Sequence, residues 1–72
     1  MPIKINKAVS TKERIEFRCL GRHNEWYLYR ANKLPNGDFE LSNSPAGKRT
    51  VIDTYSTLTR LFKEANALAN CL

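Results

Sequence analysis

"NEWYLYRANKLPNGDFEL", residues 24–41, decides how the rest of the chain is read. Its first part, "EWYLYRAN", is rich in side chains that suit a pleated, half-buried surface. "LPNGD" follows, where proline presets one backbone angle and Asn-Gly accepts positive φ, so the chain reverses. "FELS" then reads as a further strand. Alternation gives this hairpin two ways to face. Trp26, Leu28 and Arg30 share one side, and Tyr27, Tyr29 and Ala31 share the other. Burying Trp26 and Leu28 removes more apolar area from water but takes Arg30 along, and an unpaired buried guanidinium is costly. Burying Tyr27 and Tyr29 avoids that cost if each hydroxyl finds a partner or an edge. The two terms nearly balance, so the residues alone leave the choice open.

Toward the N-terminus, "STKERIEFRCLG" (10–21) carries two signals. Ser10 with Glu13 matches a helix capping box, and Gly21 could end a helix. Yet Ile15, Phe17 and Cys19 alternate with Arg14, Glu16 and Arg18, which is the strand period. On a helix those three apolar residues would scatter, so the expectation is a strand, closed by a turn at "GRHN". "IKINKAV" (3–9) is either an edge strand or a basic arm. Toward the C-terminus, "NSPAGK" breaks the chain, and "RTVID" (49–53) is either a fourth strand or an extended lead-in.

The last element has the plainest pattern. Tyr55, Leu58, Leu61, Phe62, Ala65, Leu68, Ala69 and Leu72 fall at helical spacing, with Asp53 as a good N-cap. Ser56, Arg60, Lys63, Ala67 and Asn70 take the opposite face. Strands first and one helix last predict an α+β fold. The expected architecture is a three-stranded antiparallel sheet, four-stranded if "RTVID" pairs, packed on one C-terminal helix. The expected division is one domain over 1–72, with the arm or edge strand at 1–12, the sheet at 13–52 and the helix at 54–71. The helix covers one face of the sheet, which leaves the other for the N-terminal arm or a partner.

A chain of 72 residues buries about 60% of its unfolded surface, enough for one modest core. An apolar fraction of 42% with seven aromatics suits an ordered globule. The net charge is +5, and its placement is uneven. Residues 1–33 hold eight Lys/Arg against three Asp/Glu, whereas residues 34–72 hold four of each. A basic half-molecule suits a polyanionic partner such as nucleic acid, or a protein with an acidic surface. Plain solubility explains a charge of this size equally well.

Catalytic chemistry finds no purchase in these residues. The one histidine, His23, sits in an expected turn with no second His or Cys pair at ligand spacing. "PNGD" and "PAGK" match no phosphate-binding loop or dinucleotide fingerprint. The expectation is a non-enzyme without cofactor or metal. Cys19, in an alternating strand, reads as a small buried apolar residue. "ANCL" does not fit the prenylation pattern, which puts cysteine fourth from the end. No run is long and apolar enough for a signal peptide or a membrane span. The expected setting is a reducing cytoplasm, with Met1 opening an intact small reading frame and no membrane contact.

"WYLYR" (26–30), a glycine turn, "PAGKR" (45–49) and a final amphipathic helix together resemble the arm-type N-terminal DNA-binding domain of tyrosine integrases, especially those of conjugative transposons. The likeness spans residues 24–70. It implies three antiparallel strands and a C-terminal helix, with the free face of the sheet laid in the major groove of duplex DNA. Leu28 and Arg30 would then face DNA with Trp26 beside them, Lys48 would lie near the backbone, and Tyr27 and Tyr29 would face the helix. The pattern departs from the family in two ways. "FELSNS" lacks an aromatic pair, and Glu16 and Glu40 fall on the sheet. With no recombinase domain in these residues, the expectation is a stand-alone relative or an unrelated protein with a similar plan.

Two functional readings follow. In the first, a small basic module binds nucleic acid, duplex DNA above all, through Arg14, Arg18, Arg22, Arg30, Lys33 and Lys48, with Trp26 and Leu28 on the same surface and Arg30 placed for a base contact. In the second, a small inhibitor or adaptor from a phage or mobile element binds a protein, with Trp26, Leu28 and neighbouring arginines as the hot spot.

Overall fold

The computed structural model describes residues 3–43 and 50–71. Five strands and one helix follow in order: β1 (Ile3–Ile5), β2 (Arg14–Leu20), β3 (Trp26–Lys33), β4 (Phe39–Asn43), β5 (Thr50–Tyr55) and α1 (Leu58–Asn70). The strands form one antiparallel sheet in sequence order, each paired with the next. The α+β class and the C-terminal helix match the sequence reading, but the sheet has five strands rather than three or four.

Both additional strands lie at the edges, where local pattern is weakest. β1 pairs with β2 through Ile3↔Cys19, Lys4↔Arg18 and Ile5↔Phe17, so residues 3–5 are an edge strand and not a loose arm. The loop after it is tied back by Asn6 N–H donating to Glu16 O at 2.8 Å and by Ser10 Oγ donating to Asn6 O at 2.7 Å. Ser10 thus serves this loop, and also accepts from Glu16 N–H, rather than capping a helix. β5 extends to Tyr55, which pairs with Phe39. The helix accordingly starts at Leu58 and not at 54. Its N-cap is Thr57, whose hydroxyl accepts from Arg60 N–H at 3.2 Å, while Asp53 lies within β5. The β-branched run Thr50, Val51, Ile52 and Thr54 favours the sheet, and pairing with β4 decides against the Asp53 cap. A bulge at Leu41/Ser42 gives β5 an extra residue, which lets both Ile52 and Tyr55 pack on the core.

The turns explain the hairpins. Between β3 and β4, Leu34 N–H donates to Asp38 O at 2.7 Å and Gly37 N–H to Leu34 O at 3.0 Å, with Gly37 at φ 91°. Between β2 and β3, Gly21 N–H donates to Glu25 O at 2.7 Å, and Asn24 takes φ 60°, a conformation asparagine tolerates. Gly21 is required for another reason. A Cβ there would sit 2.6 Å from the Tyr27 ring and 2.9 Å from Ala69 O, so its absence lets the end of α1 settle on the sheet.

One face of the sheet and one stripe of α1 form the core. Phe17, Cys19, Tyr29, Ala31 and Leu41 meet Leu61, Ala65 and Ala69, with Leu58 and Phe62 packed beside them. Phe17 stacks on Tyr29 at 5.8 Å and meets Phe62 edge-on at 4.8 Å. Leu68, expected on the buried stripe, is exposed, because the small residues Ala65 and Ala69 carry the close contact instead. Burial of Cys19 pushes its thiol up from 9.0 to about 11.

Two outcomes follow. Phe17→Ala removes the centre of the ring cluster and should lower stability by about 3–5 kcal/mol, close to the whole margin of a small domain. Val51→Ala, at a side chain 54% exposed, should change it by less than about 0.5 kcal/mol. Thermal melts of the two variants check the contrast. The raised Cys19 value adds a pH signature. The unfolded chain gives up that proton near pH 9 and the folded one near 11, so this contribution is present below pH 9 and declines between 9 and about 11. At neutral pH an aromatic disulfide reagent should react at once with exposed Cys71 and reach Cys19 only on unfolding.

Candidate functional site

Because α1 packs on one side of the sheet only, the residues of the other side form a single surface, which the register lays out in rows. Lys4, Arg18 and Leu28 lie across β1, β2 and β3. Next to them, Leu20 pairs with Trp26. A central row runs Glu16, Arg30, Ser42 and Val51, and a far row runs Arg14, Asn32, Glu40 and Thr54. Trp26 is 40% exposed and Tyr29 2% exposed, which resolves the facing of β3: tyrosines toward the helix, tryptophan and arginine away from it. Among the described residues, no helix or strand lies over this second face.

Arg30 is held rather than free. Its Nε lies 3.6 Å from Glu16 Oε2, with the two side chains 29% and 16% exposed. At that separation the contact is an ion pair longer than a hydrogen bond, and Nε has no hydrogen-bond acceptor. Asn32 Nδ2, two residues along the same strand face, is likewise buried without an acceptor. The pairing satisfies the charge of Arg30 and turns the middle of the face nearly neutral.

The other expected site residues fall in different places. Arg18 is exposed in the row beside Trp26, and Arg22 is exposed in the turn that joins β2 to β3 at the same end. Arg14 is exposed at the far end of β2, about 13 Å from Arg18 along the strand. Lys33 is a correction. It shares a face with Tyr29 and Ala31 and stands opposite Phe39, so it lies on the helix side of the sheet, where it lines a shallow hollow with Glu13, Leu34 and Pro35. Lys48 lies outside the described residues.

Lys4 is the functional candidate that sequence reasoning missed. Its ammonium sits 4.7 Å from the centre of the Trp26 ring. The signal was present in the alternation Ile3-Lys4-Ile5, which places Lys4 opposite the two isoleucines once β1 is a strand. An exposed cation on a ring is worth about 0.5–1 kcal/mol. A nucleobase stacked on an aromatic side chain is worth about 1–3 kcal/mol. A contact of the stacking kind is the stronger of the two, and Lys4 lies beside Arg18, its register partner on β2. The face thus has a basic aromatic end (Lys4, Arg18, Trp26, with Leu20 and Leu28 around the ring) and a self-neutralised centre.

Among the described residues no three or more His, Cys, Asp or Glu come together as metal ligands, and no helix is long and apolar enough to cross a membrane. Comparison with family models, with curated proteins and with solved structures gave no match.

The exposure of Trp26 has a direct readout, since it is the single tryptophan. Its emission should lie to the red of a buried indole and be quenched efficiently by acrylamide. A blue-shifted emission that acrylamide does not reach would put Trp26 in the core and reverse the two faces.

Proposed function

We propose that this chain is a small nucleic-acid-binding module and that the face of the sheet away from α1 carries the contact. The observation that carries the reading is the Trp26 end of that face, where an exposed aromatic ring is bordered by Lys4 and Arg18 on adjacent strands. Phosphate contacts from lysine and arginine supply sequence-independent affinity, and an aromatic gives a base something to stack on. Lys4, Arg18 and Arg22 make the phosphate contacts in this account, and Arg14 extends them toward the far end. Arg30 is assigned a different part from the one the integrase likeness implies. Held by Glu16, it organises the middle of the face instead of reading a base.

A second reading has its own support. The Trp26 ring with Leu20 and Leu28 is an apolar group beside arginine, the composition of a protein-binding hot spot. A phage or mobile-element adaptor would use the same surface. Capture of a discrete protein that survives nuclease treatment, with no retention of nucleic acid, favours that reading.

The primary test is fluorescence anisotropy of labelled nucleic acid, single- and double-stranded, at two salt concentrations. About three neutralised phosphates predict a log–log salt slope near −2 to −3, at roughly 0.7–0.9 per contact. Arg18→Glu should weaken binding strongly. Arg60→Glu, on the solvent side of the helix, should change little. Absence of binding at low salt, or equal losses from the two variants, contradicts the assignment.

A further inference from the structure

We infer that the partner of this face is single-stranded nucleic acid, bound with little sequence preference, with Trp26 as the stacking platform. The inference rests on the nucleic-acid reading above and names its substrate class. Three observations lead to it.

The first is width. Paired strands lie about 4.8 Å apart, so five of them span about 19 Å between the edge strands. The major groove of a duplex is about 12 Å wide and admits a helix or a two-stranded ribbon. A three-stranded sheet would span about 10 Å and come near to fitting; this one cannot lie flat in the groove. The duplex-reading geometry implied by the integrase likeness therefore loses its footing once β1 and β5 are in place.

The second is the ring. Trp26 is the exposed aromatic among the described residues, and a cation already rests on it. Inside a duplex the faces of the bases are covered by their neighbours. In a single strand they are open, and every base offers one. A stacked base takes the place of Lys4, because stacking is the stronger of the two contacts. The released ammonium and Arg18, register partners on β1 and β2, then meet the phosphates on either side. Leu20 and Leu28 bed the edge of the base and its sugar.

The third concerns specificity. Reading a base edge needs a donor or acceptor free to reach it. Arg30, the guanidinium nearest the middle of the face, has its charge offset by Glu16, 3.6 Å from Nε. The Trp26 end then offers a ring for stacking and the Lys4 and Arg18 cations for phosphates, contacts that tolerate any sequence.

The experiment titrates the full chain with an oligothymidylate of about 12 nucleotides and with a duplex of the same length, reading anisotropy and Trp26 fluorescence together. Oligothymidylate should quench the tryptophan and bind about tenfold tighter than the duplex. Trp26→Ala should lose about tenfold or more of the single-strand affinity, and Trp26→Phe, which keeps a ring, should retain most of it. Circular dichroism establishes that each variant is folded. If Trp26→Ala does not fold, the Trp26→Phe variant and the comparison of the two ligands decide. Duplex binding as tight as or tighter than single-strand binding, with unquenched fluorescence, overturns this inference and leaves the broader reading standing. No binding of either ligand overturns both.

Discussion

The stacked pair of Phe17 and Tyr29, register partners on β2 and β3, is the contact on which the rest of the structure depends. Side chains alternate along a strand, so placing these two rings under the helix fixes the direction of every other residue on both strands. Cys19, Ala31 and Ile15 follow them inward. Arg14, Glu16, Arg18, Trp26, Leu28 and Arg30 are turned outward. Phe62 closes edge-on over Phe17, while Ala65, Ala69 and the missing side chain of Gly21 let the helix come close. A slip of β3 by one residue would bury the guanidinium of Arg30 and expose Tyr29. That penalty specifies the register.

One helix can cover one face of a sheet. Among the described residues no second layer of helix or strand lies on the other side, which leaves an outward face. Its composition suits that position. The middle is made quiet by the Arg30–Glu16 pair, which costs no net charge, and the Trp26 end keeps its cations. Four of the eight Lys/Arg in residues 1–33, namely Lys4, Arg14, Arg18 and Arg22, lie on β1, β2 and the turn after β2. In this account the face acts as an electrostatic and stacking surface.

Much of this was legible in the sequence because it rests on strong local patterns. Period-two alternation marked Arg14–Leu20 and Trp26–Lys33, Pro-Asn-Gly marked the hairpin, and helical spacing marked the stripe from Leu58 to Ala69. The less legible parts depend on pairing between distant segments. Three residues, Ile3–Ile5, carry too little pattern to be a strand until β2 offers its edge. Asp53 has the chemistry of a helix cap, but β4 extends β5 past it and the cap passes to Thr57. Lys33 looked equivalent to the other cations until its register opposite Phe39 put it on the helix side. Arg30 looked free, since no sequence pattern reveals that Glu16 stands directly across from it. Lys4 was hidden by the same uncertainty that hid β1.

The central claim is that the face opposite the helix, at its Trp26 end, is where this chain meets its partner. Amide chemical-shift mapping by NMR during titration with oligothymidylate tests it most directly, because it reports every element at once. The account predicts shifts concentrated at Lys4, Arg18, Leu20, Leu28 and the Trp26 indole N–H, with Arg60, Lys63 and the rest of the outer helix surface unmoved. Shifts centred on the helix, or spread evenly over all basic residues, would contradict it.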